Sequence, residues 1–169
     1  MKNGLYVVMG VAGSGKSLIG AALARSLNVT FIEGDDLHSA TNVARMASGI
    51  PLTDDDRADW LAALAARIHQ AKAAGVGLVV SCSALKRSYR DVLRGAARDL
   101  QFIFLDGPRT LIAQRLKNRK GHYMPPSLLD SQFATLEEPM ADEHVWKIDI
   151  AKSPEQIVAE IRTRVANDA

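Results

Sequence analysis

Within its 169 residues the sequence has a single cysteine, Cys82, and no apolar run as long as a membrane-spanning helix. One cysteine excludes an internal disulfide and a four-cysteine zinc site, which favours a reducing, cytoplasmic environment. The apolar run near the start, Leu5–Met9, is too short for a signal peptide or a membrane anchor. The net charge of +2 lacks the excess typical of non-specific nucleic-acid binding. We therefore expect neither a nucleic acid nor a membrane as partner.

The most informative stretch present is GVAGSGKS, residues 10–17, which directly follows the apolar run Leu5–Met9. It fits the phosphate-binding loop G-x-x-x-x-G-K-[ST], with a strand before it and a helical pattern after it. The glycines allow successive N–H groups to point inward, Lys16 can reach the β- and γ-phosphates, and the Ser17 hydroxyl can ligate Mg²⁺. The predicted nucleotide-binding residues are Gly10, Ala12, Gly13, Ser14, Gly15, Lys16 and Ser17. This pattern predicts a protein that binds a nucleoside triphosphate.

The sequence lacks two segments that are typical of other classes of phosphate-loop protein. The sequence has no Asn/Thr-Lys-x-Asp segment, which a GTPase uses to read the base, and no apolar strand ending in Asp-Glu, which is typical of a motor. A basic segment late in the chain instead fits a small-molecule kinase, in which a mobile lid brings arginines onto the transferred phosphoryl group.

Strand and helix patterns alternate along the whole chain. Apolar runs predict five strands, and helical spacing predicts the segments between them, with Thr53 and Ser153 as N-caps. The predicted strands cover residues 5–9, 29–33, 78–82, 100–105 and 145–150. Such alternation predicts one α/β domain over residues 1–169, with a parallel sheet covered on both faces. The pattern leaves the order of the strands open.

Several stretches beyond the phosphate loop are shared with one family. They are MGVAGSGKS (9–17), GDDLH (34–38), MASGIPL (46–52), DDDR (54–57), WL (60–61), CSALKR (82–87), YRD (89–91), KGHYM (120–124) and QFATLEEP (132–139). On these residues the chain closely resembles the gluconate kinases, phosphate-loop kinases related to shikimate and adenylate kinases. It departs from the family pattern at Ser39, where proline is usual, and at Glu33, where aspartate is common.

The resemblance implies a phosphate-loop kinase fold: a five-stranded parallel sheet with helices on both faces, a small mobile lid at about 117–126 and acceptor-binding helices at about 40–74. It further implies ATP and Mg²⁺, D-gluconate as the substrate, and a homodimer. In related kinases arginines like Arg115 and Arg119 reach over the ATP phosphates when the lid closes. The alternative is that they form a basic helix end exposed to solvent. Glu33 is a candidate for holding Mg²⁺ through water.

The resemblance also assigns an acceptor side. Asp35 resembles the aspartate that contacts the acceptor hydroxyl, where a carboxylate can orient the hydroxyl and accept its proton. Arg57, Lys86 and Arg87 are cations in matching stretches and could bind a carboxylate. His38 could hydrogen-bond a substrate hydroxyl or cap the local backbone.

The expected activity is therefore transfer of the γ-phosphate of ATP to the terminal hydroxyl of D-gluconate, with Lys16, Asp35 and Arg119 in catalytic roles. Two alternatives stay open. One is a kinase for another small hydroxy acid such as shikimate, although the Gly-Gly-Gly turn of shikimate kinases is replaced by Ser-Cys-Ser at 81–83. The other is a nucleotide-binding regulator without catalysis.

Overall fold

The computed structural model of the protein describes residues 3–118 and 126–168. Within them lie five strands: β1 (Leu5–Met9), β2 (Thr30–Glu33), β3 (Leu78–Ser81), β4 (Gln101–Asp106) and β5 (Trp146–Asp149). The helices are α1 (Lys16–Leu27), α2 (Ala40–Ala47), α3 (Asp54–Ala74), α4 (Arg87–Arg94), α5 (Arg109–Lys117), α6 (Pro126–Thr135) and α7 (Pro154–Asp168). Most of the predicted lid, including Arg119, lies outside the described residues.

All strand pairs in the sheet are parallel, in the order β2-β3-β1-β4-β5. This confirms the predicted α/β class and adds the strand order that the pattern left open. β1 is the central strand, so the loop that follows it emerges between β3 and β4. Ligands of open α/β sheets bind at the carboxyl ends of the strands, and that edge is where the phosphate loop lies.

Side chains of the central strands alternate between two cores. Val7 and Met9 belong to the core that α3 and α4 cover, whereas Val8 belongs to the core that includes α1, α5 and α7. Helices therefore pack on both faces, as predicted, and nearly continuous apolar strands are explained by burial on both sides.

Local capping signals in the sequence are formed as expected. Thr53 and Asp56 make a reciprocal capping box at the start of α3, and Ser153 and Gln156 make the same pair of hydrogen bonds before α7. Ser39, at the position where the family has proline, accepts a hydrogen bond from the backbone N–H of Asn42 and caps α2. The departure at Ser39 thus supplies a helix cap in place of a fixed φ. In the described part of the chain no helix has the length and apolarity needed to cross a bilayer.

Candidate active site

The phosphate loop joins β1 to α1 and is shaped by its glycines. Gly13 and Gly15 have φ of +81° and +98°, a left-handed backbone that side chains disfavour. Gly13 also lacks space for a side chain, because a Cβ there would lie 2.6 Å from Cγ of Leu116 on α5. The ammonium of Lys16 donates to the carbonyl of Val11 at 3.0 Å, so it lies across the loop. The loop thus has the curled shape that a phosphate requires.

A 3₁₀ turn at Gly34–Leu37 carries Asp35 directly after β2. Gly34 is required there, because a Cβ would lie 2.0 Å from the carbonyl oxygen of Ser81. Its N–H donates to the Ser81 hydroxyl at 3.2 Å, and its carbonyl accepts the indole N–H of Trp60 at 2.8 Å. The backbone directly before Asp35 is therefore fixed by hydrogen bonds on both sides of Gly34. Because β2 ends at Glu33 and the turn begins at Gly34, Glu33 and Asp35 are not related by the two-residue alternation of a strand.

Glu33 is held by Ser81, a residue to which the sequence analysis gave no role. The Ser81 hydroxyl is buried and donates to Oε1 of Glu33 at 2.6 Å. A single polar residue at the end of the apolar strand β3 was the available signal, since buried hydroxyls are normally hydrogen-bonded. Ser81 fixes one carboxylate oxygen of Glu33, and no side chain in the described part of the chain donates a hydrogen bond to the other.

Charges from both predicted halves of the site meet around Cys82. Burial raises the pKa of the Cys82 thiol to about 12, against a backbone hydrogen bond at Ala84 that lowers it. The negative charge of Asp35 raises the pKa as well, whereas the positive charges of Lys16 and Arg57 lower it. The thiol is protonated and inert at neutral pH, in agreement with a structural role. The charges of the phosphate-loop lysine, the candidate base and an acceptor-side cation thus all act on the thiol that follows β3.

His38 is held in place by stacking on Trp60 and by the side-chain amide of Asn42. Its ring stacks on Trp60 with centroids 4.1 Å apart, and Nδ1 lies 3.4 Å from Nδ2 of Asn42. Burial lowers the pKa of His38, while Asp35 raises it and Arg57 lowers it again. The imidazole is therefore neutral at pH 7. Because the Asn42 amide is a donor, Nδ1 accepts and the proton lies on Nε2, which can donate to a hydroxyl.

Arg57 and Lys86, both predicted substrate cations, lie close to the Tyr89 ring, at 5.4 and 5.7 Å from its centroid. Lys86 pairs with Asp54 at 3.0 Å, whereas Arg57 donates to the Tyr89 hydroxyl at 2.8 Å. The Tyr89 hydroxyl donates in turn to Asp54, and burial followed by this hydrogen bond raises the pKa of the tyrosine. Among the described residues Arg57 has no ion-pair partner, so it is the cation best placed to receive a substrate carboxylate.

Two other predicted cations contact protein groups outside this cluster. Arg87 pairs with Asp142 at 2.6 Å, and its side chain does not join Arg57 and Lys86. Arg115 donates to the carbonyl of Ile150, just after β5, at 2.6 Å. The sequence showed these charges but not the residues from distant segments that pair with them.

Arg90, which the sequence analysis left without a role, is completely buried on α4. Its guanidinium donates to the carbonyls of residues 84–85, to the carbonyl of Glu137 and to the carboxylate of Glu143. Arg94 donates to the same carboxylate at 2.7 Å. The cluster holds the loop that leads to Lys86 against the segment that follows α6. Arg90 lies next to Tyr89 and three residues before Leu93, which are also buried on α4. This helical spacing was the available signal for a buried arginine.

This buried cluster predicts a pH-dependent contribution to stability. Burial works to raise the pKa of Glu143, but hydrogen bonds from Arg90 and Arg94 outweigh it and hold the pKa at about 2, below its ordinary 4.5. The stabilisation is therefore present above about pH 4.5 and is lost as the pH falls towards 2. We expect Glu143→Gln to lower the free energy of unfolding at pH 7 by about 3 kcal/mol, the scale of breaking a buried pair.

Denaturant unfolding at pH 7 and pH 3 measures this effect, with Glu160→Gln as the matched control on an exposed pair with Lys152. The penalty of Glu143→Gln should shrink at pH 3, because the carboxyl group of the unfolded wild type, with its ordinary pKa of 4.5, is protonated there while the native one is still mostly ionised. An equal penalty at both pH values would contradict the assigned pKa.

Together these features place a phosphate-binding loop, a carboxylate on a fixed turn and an unpaired guanidinium around the same end of the sheet. The fold and site define a phosphate-loop kinase for a small molecule. A protein-family model described as "AAA domain" matches residues 5–139. The chain is 46% identical to the gluconokinase of Gluconobacter oxydans over 161 residues, which cover 95% of this chain and 90% of that protein. The thermoresistant gluconokinase of Escherichia coli is 48% identical over 157 residues, which cover 92% and 89%.

Solved structures agree with this assignment. A gluconokinase from Sinorhizobium meliloti superposes with a TM-score of 0.90 at 47% identity, covering 99% of this chain and 94% of that one. A shikimate kinase from Aquifex aeolicus, at 18% identity and a TM-score of 0.61, shares the fold alone. The chain belongs to the family of the matching model and, within it, to the gluconokinases.

Proposed function

We propose that this protein transfers the γ-phosphoryl group of ATP to the terminal hydroxyl of D-gluconate, giving 6-phosphogluconate and ADP. The observation that carries the proposal is the arrangement at one edge of the sheet: β1 and β2, which lead to the phosphate loop and to the Asp35 turn, both pair in parallel with β3. Helix α3, which carries Arg57, is joined to the same turn by the hydrogen bond from Trp60 to the Gly34 carbonyl. One residue for each part of the reaction lies there: a cation for the phosphates, a carboxylate for the hydroxyl proton and a cation for the substrate's acid group. The names of the relatives agree with this acceptor.

On the nucleotide side, the loop N–H groups, Lys16 and the amino-terminal end of α1 bind the phosphates. The donor set suits Mg²⁺, which prefers oxygen ligands: the Ser17 hydroxyl, and Glu33 acting through water with the carboxylate oxygen that Ser81 leaves unengaged. Bound there, the ion would neutralise charge on the β- and γ-phosphates. Within residues 3–118 and 126–168 no group of three or more His, Cys, Asp or Glu is placed to hold a metal. When the nucleotide is bound, its phosphate oxygens and water would complete the coordination of the ion.

On the acceptor side, the substrate lies between Arg57 and Asp35. The Arg57 guanidinium binds the carboxylate, and His38 donates from Nε2 to a hydroxyl of the chain. The terminal hydroxyl then meets Asp35, which orients it and accepts its proton as the bond from oxygen to the γ-phosphorus forms. The bond from the γ-phosphorus to the β–γ bridging oxygen breaks, and ADP leaves with that electron pair.

A panel of acceptors tests the proposal directly. Sorbitol and glucose offer similar hydroxyls but no carboxylate, so they would leave the Arg57 guanidinium without an anion. Losing such a charge-assisted contact costs on the order of 2–5 kcal/mol, so kcat/KM should fall about thirty-fold to several thousand-fold relative to gluconate. Shikimate should also fail, since its ring cannot place carboxylate and hydroxyl at the same separation. Coupled ADP-release assays measure each rate, and phosphorylation of sorbitol as fast as gluconate would refute the carboxylate anchor.

The anchor itself is tested by Arg57→Ala, with Arg67→Ala as the matched control on the exposed face of α3. If Arg57 reads the carboxylate, its loss lowers kcat/KM for gluconate and leaves the slow reaction with sorbitol nearly unchanged. The ratio between the two acceptors therefore collapses in Arg57→Ala and persists in Arg67→Ala. An equal loss for both acceptors would assign Arg57 to another task.

Four further features stay predictions that rest on the resemblance and on composition. They are a single domain over residues 1–169, a lid at about 117–126 with Arg119 acting on the phosphates, a homodimer, and a cytoplasmic location. Light scattering in solution tests the homodimer. Kinetics of Arg119→Ala, measured beside Arg115→Ala, test the lid arginine.

A further inference from the structure

A side chain from the far end of the chain contacts the phosphate loop. The backbone N–H of Ala12 donates to Oε1 of Gln132 at 2.6 Å, across 120 residues of sequence. Gln132 lies on α6 and is partly buried. The sequence analysis gave Gln132 no role, although it begins the stretch QFATLEEP. Because the donor is a backbone N–H, the carboxamide oxygen of Gln132 must face the loop, and the NH₂ group of the same carboxamide must point away from the Ala12 N–H.

Other peptide groups of the loop are also held by hydrogen bonds or by packing. The N–H of Ser14 donates to the carbonyl of Val11, which accepts Lys16 as well. Gly13 is packed against Leu116 and Ile112 of α5, so the loop cannot shift toward that helix. The Gln132 contact restrains the peptide of Ala12, and it sets the direction in which that peptide points.

We propose that Gln132 is a positioning residue of the phosphate site: it fixes the Ala12 peptide through a neutral acceptor. The neutrality has a physical reason. A carboxylate would accept the same hydrogen bond, but its negative charge 2.6 Å from the loop would oppose the positive potential that the loop N–H groups and Lys16 create for phosphate. A carboxamide restrains the loop without repelling the nucleotide. This inference requires nucleotide binding only and is independent of the acceptor that the enzyme uses.

Two substitutions separate restraint from charge. Gln132→Ala removes the acceptor, and Gln132→Glu keeps it but adds a charge. We expect Gln132→Ala to weaken binding of a non-hydrolysable ATP analogue about fivefold, the scale of one hydrogen bond. Gln132→Glu should weaken it by roughly tenfold or more at low salt, and the loss should diminish as ionic strength rises. Gln70→Ala, on the exposed face of α3, is the matched control and should bind as wild type.

Calorimetric titration without gluconate measures these affinities, and thermal unfolding measures stability in parallel. A purely structural glutamine would change the unfolding temperature and not create a salt-dependent difference between the two variants. Wild-type affinity in Gln132→Glu, or a loss that does not depend on salt, would overturn the proposal. Failure of the gluconate assignment would leave these titrations unchanged, so the two proposals fail separately.

Discussion

Replacing Lys16 by alanine is expected to reduce turnover by roughly 10²–10³-fold or more. The loop N–H groups still bind phosphate in the variant, but the mobile positive charge that accompanies the γ-phosphoryl group to the acceptor is gone. The effect should be larger on kcat than on the affinity for nucleotide, because the charge on the transferred oxygens is best stabilised in the transition state. Coupled ADP-release kinetics with saturating gluconate measure the loss.

The fold of Lys16→Ala should remain intact, because Lys16, the first residue of α1, belongs to neither apolar core. Lys72→Ala is a suitable control, since Lys72 is an exposed lysine of α3 paired with Asp99. Near-UV circular dichroism checks that the two variants have the same tertiary packing. Turnover of Lys16→Ala within about tenfold of wild type would remove the phosphate-loop mechanism proposed here.

Asp35→Asn is expected to lower kcat by about two or more orders of magnitude, the usual scale of losing a general base. The amide keeps the size of the side chain and can still hold a hydroxyl, but it cannot accept the proton that leaves when the phosphorus–oxygen bond forms. Nucleotide affinity should change little, because the phosphates are held by the loop and not by the 3₁₀ turn. Steady-state kinetics in both substrates separate these effects.

The matched control is Asp36→Asn, one residue further along the same 3₁₀ turn. Both aspartates are exposed, so the two variants differ in position and not in burial. We expect Asp36→Asn to keep nearly normal kcat. A rise in KM for gluconate with unchanged kcat in Asp35→Asn would make Asp35 a binding residue and not a base.

Features that depend on contiguous residues could be predicted from the sequence alone. The phosphate loop is one, because its shape follows from glycines at fixed spacing between a strand and a helix. The capping box at Thr53 is another, since both partners lie within one turn of α3. The α/β class follows in the same way from the alternation of apolar runs and helical spacing. Every strand end was predicted to within one residue, including those of β5, where residues 145–150 were expected and Trp146–Asp149 was found.

The acceptor side was only partly predictable. Sequence reasoning found the charged residues Arg57, Lys86 and Arg87, but it treated them as one cationic group. In the structure Asp54 pairs with Lys86 and Asp142 pairs with Arg87. Arg57 differs from them because its partner is the neutral Tyr89 hydroxyl. A residue's own charge is visible in the sequence, whereas its net electrostatic role depends on the groups placed opposite it.

The sequence by itself thus determined the class of fold, the nucleotide-binding loop and the residue types of the site, since each is encoded within one short segment. The tertiary structure alone decided the strand order, the burial of Arg90 among carbonyls and Glu143, and the contact of Gln132 with Ala12. Those features join segments that are distant in the chain. They form only when packing of both faces of the sheet brings such segments to the same place, where hydrogen-bond geometry and desolvation select the partners.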